Sequence, residues 1–150
     1  MPTKHTPISQ PGLLRLIGCV LYDWLIVIGL LMLAGFLAVG VNKLITGEDA
    51  ISAGNPAFLS WNIGVIYLYF AGFWISKRQT VGMKAWRIHL ATTDATPLSW
   101  KHVTLRFFCA IPSWGLVLAG LLWRYFNPQR LCWHDQYSQT QLVYTPKKKA

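Results

Sequence analysis

Two long apolar runs constrain this chain more than anything else in it. The first, residues 13–41, carries only Arg15 and Asp23 as charged groups; the second, AFLSWNIGVIYLYFAGFWIS (57–76), is uncharged and stops at Lys77-Arg78. About 20 apolar residues cover a hydrocarbon core of roughly 30 Å, so each run is long enough to cross a bilayer. Eight Trp in 150 residues fit the same setting, because Trp collects where one end of a side chain is wet and the other oily. The first run is not a secretory signal. It far exceeds a 7–15-residue h-region, only Lys4 and Arg15 supply positive charge up to its start, and no small-x-small cleavage site follows. It is read as a retained span.

The chain divides into an irregular arm (1–12, with Pro2, Pro7, Pro11 and Gly12), a membrane domain (13–144) and a basic tail (145–150). A net charge of +9 would by itself admit a nucleic-acid binder, but the cations flank apolar runs instead of gathering on one polar segment. Nucleic acid is therefore not expected as a partner. The bilayer is, with Lys147–Lys149 drawn to anionic lipid headgroups. Three cysteines, Cys19, Cys109 and Cys132, make no disulfide framework.

Orientation follows from the connections. Residues 43–56 hold one cation, Lys43, whereas 77–102 hold Lys77, Arg78, Lys84, Arg87 and Lys101. The positive-inside rule then puts the second connection and the N-terminus in the cytoplasm. Short strand patterns occur at 86–91 and 140–144; neither is stable alone, so the two are expected to pair on one side of the membrane. A third apolar run, 103–126, contains Arg106 and Pro112. The strand pairing favours re-entry, with a turn near Pro112-Ser113-Trp114-Gly115, over one kinked crossing. The fold expected is thus an all-α membrane protein: two transmembrane helices, a third Pro-broken hydrophobic segment that re-enters or spans, and a small cytoplasmic β element.

Asp23 is the residue that needs explaining. An acid inside a spanning helix costs of the order of 3 kcal/mol and normally faces protein or water. Eight residues from Arg15, it lies about 12 Å along the helix, and an antiparallel second helix would bring Tyr69 level with it. Arg106 could reach the same depth. Arg15, Asp23, Tyr69 and Arg106 are therefore expected to form one polar cluster, either handling a proton or small cation or fixing the helix packing. No Gly-rich phosphate loop and no nucleophile beside a base is present, so an enzyme is not expected. No cofactor is expected, and Cys132, His134, His89 and His102 lack metal-ligand spacing.

Arg15, Leu21-Tyr22-Asp23, QTVGMKAWRI (79–88), RFF (106–108) and CWHDQYSQT (132–140) together resemble the RDD family of membrane proteins, in the form found in proteobacteria. The resemblance covers about residues 11–144. It implies that Arg15 is the family arginine, Asp23 the first aspartate and Asp135 the second, with Gln139 standing where relatives have glycine. It also implies a bacterial inner-membrane location and a role in transport suggested for the family. His134 and Asp135 are expected to anchor the tail on the bundle through Arg15, Arg87 or Arg106. The leading reading is transport of a proton or small cation. The alternative is a membrane scaffold or assembly factor with a structural polar cluster. Two spans enclose little, so a transporter of this size would form a homo-oligomer, and a scaffold would join a partner membrane protein.

Overall fold

The computed structural model describes residues 10–94, 96–115 and 133–146, without the side chains of 112–115 and 133–134. Helix α1 (Leu13–Thr46) has 34 residues, about 51 Å at the helical rise. It ends at Gly47, whose φ of 79° lets its N–H reach back to the Lys43 carbonyl at 2.9 Å. Helix α2 (Pro56–Lys77) starts with proline at its first position. Asn55 caps it, accepting the N–H groups of Ala57 and Phe58 at 2.9 and 3.2 Å. Both helices are long and apolar enough to cross a membrane. They form a hairpin pinned toward its loop end by Trp61, whose indole N–H donates to the Ala34 carbonyl at 3.1 Å.

The described elements that follow α2 pack at the open end of the hairpin. Helix α3 (Val81–Ala85) is one turn, β1 (Ile88–Thr92) follows, and β2 (Thr140–Tyr144) pairs with β1 antiparallel, with Ile88 opposite Tyr144 and Thr92 opposite Thr140. The pairing expected between the two strand patterns is present, and β1 runs 88–92 where 86–91 was expected. This base holds the core: Leu16 and Cys19 of α1, Ala71 and Trp74 of α2, Met83 of α3 and Ile88 and Leu90 of β1 pack with Val103 and Phe107.

Val103 and Phe107 belong to α4 (Trp100–Gly115). Its start is closed by Ser99 and His102. The His102 Nδ1 accepts the Ser99 N–H at 3.2 Å, one half of a capping box with His in the Glu position, and lies 2.8 Å from the Ser99 hydroxyl. The turn expected at Pro112–Gly115 is not there, because α4 continues through Pro112 to Gly115. A proline removes one backbone bond and crowds one carbonyl, and a packed helix absorbs that as a kink without ending. The rest of the third apolar run, 116–126, lies outside the described residues. Helix α5 (Trp133–Tyr137) leads into β2.

Candidate functional site: two buried carboxylates at the base of the hairpin

Asp23 is 4 % exposed and both its oxygens are occupied. Oδ1 accepts the Tyr69 hydroxyl and the Gly82 backbone N–H, each at 2.8 Å. Oδ2 accepts the Thr80 hydroxyl at 2.5 Å and lies 3.8 Å from the Cys19 thiol one turn back. These donors come from three segments: α1 itself, α2, and the turn that opens α3. Thr80 is the N-cap of α3 and takes the Met83 N–H at 3.2 Å on the same hydroxyl that it donates to Asp23. Asp23 thereby acts as a second cap for α3, supplied by another helix. One cap takes the third N–H of the helix and the other takes the second, so two groups that a helix start leaves unpaired are both satisfied.

The fit leaves no room for a side chain at Gly82. A Cβ there would lie 2.5 Å from the Cys19 carbonyl oxygen and 2.7 Å from the Asp23 carboxyl carbon. Trp86, at the end of α3, covers Gly18 on α1 in the same way, with its ring 2.3 Å from where a Cβ would stand. The GMKAWR segment is thus a docking motif: its Gly and Trp are two of the points at which the chain beyond α2 packs closely on α1.

The second carboxylate is Asp135 of α5, 3 % exposed and ion-paired to the Arg106 Nη1 of α4. The same Nη1 donates to the Thr140 hydroxyl at 2.7 Å, and Ser138 lies 2.7 Å from Thr140. The guanidinium also lies over the Trp74 ring at 5.3 Å. The Trp74 indole N–H is buried with no hydrogen-bond partner among the described residues. Asp135, Ser138 and Thr140 of the tail motif therefore close around one arginine. Gln139 between them has a φ of 51°, the left-handed conformation in which glycine would meet no steric cost.

The single cluster expected from the sequence is divided into three. Arg15 is not beside Asp23; its guanidinium stacks on the Tyr144 ring at 4.1 Å, at the end of β2. Arg106 pairs with Asp135, the one of its three suggested partners that the fold brings to it. Asp23 is left with neutral donors. Tyr69, expected level with Asp23 on the antiparallel second helix, donates to it. Thr80 and Gly82 were missed as partners of Asp23. Thr80 is an N-cap residue type, but Met83 stands where a capping box has Glu or Gln, so the local signal was weak. The side chain of His134 lies outside the described residues. Among the described residues no group of three His, Cys, Asp or Glu is placed to hold a metal ion.

Two spanning-length helices, closed at one end by a small unit latched through buried carboxylates, define a helical membrane protein of minimal size. The RDD family model matches residues 11–139. The chain belongs to the RDD family, whose members are membrane proteins. No curated protein and no solved structure is matched.

Proposed function

We propose that this chain is a membrane scaffold or assembly component of the bacterial inner membrane. It crosses the membrane with α1 and α2, and its base lies on the cytoplasmic side. The excess of cations in 77–102 over 43–56 supports that orientation. The Arg106–Asp135 pair supports a cytoplasmic C-terminus, because it holds α5, which leads into β2, against α4 at the base of the hairpin. The observation that carries the scaffold reading is the saturation of Asp23. A group that carries ions must exchange its partners, whereas this carboxylate holds donors from three segments and fastens the base to α1. The exposed apolar faces of α1 then serve lipid and a membrane partner or a second copy.

Transport of a proton or small cation is the second reading. One observation favours it: no basic side chain meets Asp23 among the described residues. Proteoliposomes carrying wild type or Asp23→Asn test the two. On the scaffold reading neither passes protons or monovalent cations above empty liposomes, Asp23→Asn melts early in detergent, and a membrane partner co-purifies in defined ratio. Wild-type flux that vanishes in a still-folded Asp23→Asn would establish transport instead.

A further inference from the structure

Arg78 and Arg87 are exposed and both have left-handed backbones, with φ of 54° and 58°. That conformation is strained for any residue with a Cβ and costs glycine nothing, yet the chain has arginine at both positions. Neither guanidinium has a partner among the described residues. Backbone hydrogen bonds gather them: Leu90 N–H donates to the Arg78 carbonyl at 2.7 Å, which ties β1 to the end of α2, and Arg87 N–H donates to the Lys84 carbonyl at 3.2 Å. Lys84 is exposed as well, and Trp86 between it and Arg87 is 38 % exposed with its ring over Gly18. Three exposed cations and a part-exposed indole thus lie within ten residues of the end of α2, on a segment that β1 ties back to Arg78.

Among the described residues no acid is ion-paired to them: Asp23 and Asp135 are buried with other partners, and the acids in ion pairs, Asp49 and Asp135, are held by Lys43 and Arg106. The end of a spanning helix lies at the depth of lipid phosphates, and an exposed indole is the side chain that settles there.

We propose that Arg78, Lys84 and Arg87, with Trp86 as the interfacial anchor, form a binding site for the headgroup phosphate of an anionic phospholipid. It rests on the reading that α1 and α2 cross the bilayer. Glycine at the two left-handed positions removes both charges and relieves the backbone, so Arg78→Gly/Arg87→Gly separates binding from folding.

The full chain is reconstituted in nanodiscs of phosphatidylcholine and phosphatidylglycerol, and the lipid kept on extraction is measured by native mass spectrometry. Wild type and Arg78→Lys/Arg87→Lys are expected to keep phosphatidylglycerol selectively. Arg78→Gly/Arg87→Gly is expected to melt no earlier than wild type and to lose roughly 25-fold in that selectivity, at about fivefold per cation. Unchanged selectivity in the glycine variant overturns the proposal. So does displacement of the lipid by millimolar inorganic phosphate, which would make the site one for free phosphate. A chain absent from the disc fraction overturns it through the spanning reading, and the missing protein distinguishes that failure from the others.

Discussion

The backbone N–H of Gly82 donates to Asp23 Oδ1 at 2.8 Å, so a residue beyond the second helix is fastened to the first. This contact requires glycine. In Gly82→Ala the new methyl would overlap the Cys19 carbonyl and the Asp23 carboxyl, and α3 must back away from α1. A loss of about 1–3 kcal/mol is expected, the usual range for overpacking. Equilibrium unfolding in mixed micelles measures it, with Gly72→Ala as the control: nothing lies within 4 Å of its Cβ position, so it should lose nothing and gain up to about 1 kcal/mol.

Arg106 and Asp135 should behave as one unit. Breaking a buried pair from one side leaves the other charge uncompensated, so Arg106→Met is expected to cost about 3–5 kcal/mol. Asp135→Leu made in the same chain should recover most of that, since it removes the stranded charge. A double-mutant cycle on unfolding free energies gives the coupling; additive costs would show that the two side chains act independently.

Gln139 offers a gain. Its φ of 51° costs about 1–2 kcal/mol for a side chain, against about 0.5–1 kcal/mol of extra backbone freedom lost on ordering glycine. Gln139→Gly should therefore stabilise the chain slightly, by about 0.5–1 kcal/mol. A lower melting temperature for Gln139→Gly would mean that the Gln side chain holds something that the backbone argument leaves out.

Trp86 and Gly18 form the second docking point. Gly18→Ala should displace the Trp86 ring and destabilise the chain. Gly18→Ala with Trp86→Leu should be milder than the sum of the two changes, because the smaller side chain leaves space for the methyl. Hydrogen exchange at Val81–Ala85 reads the same event locally: faster exchange is expected in Gly18→Ala, and unchanged exchange would show that Trp86 does not hold α3 in place.

What the sequence by itself determined is what depends on neighbours along the chain. Hydrophobic run length marked α1 and α2, the turn-rich 43–56 connection separated them, and the short patterns at 86–91 and 140–144 marked the strands. The pairing of those strands was legible too, since two lone strands have only each other to satisfy their backbones. The assignment of charges to partners was not. Arg15 and Arg106 both lie within reach of Asp23 when depth is counted along isolated helices, and only packing sends Arg15 to Tyr144 and Arg106 to Asp135. Tertiary structure also decided that Asp23 would cap α3. That role needs the one-turn helix to fold back onto α1 and bring Thr80 and Gly82, 57 and 59 residues away in sequence, within hydrogen-bond distance. Hydrogen-bond partners that far apart are chosen by how the base packs, because the local pattern around Asp23 contains no trace of them.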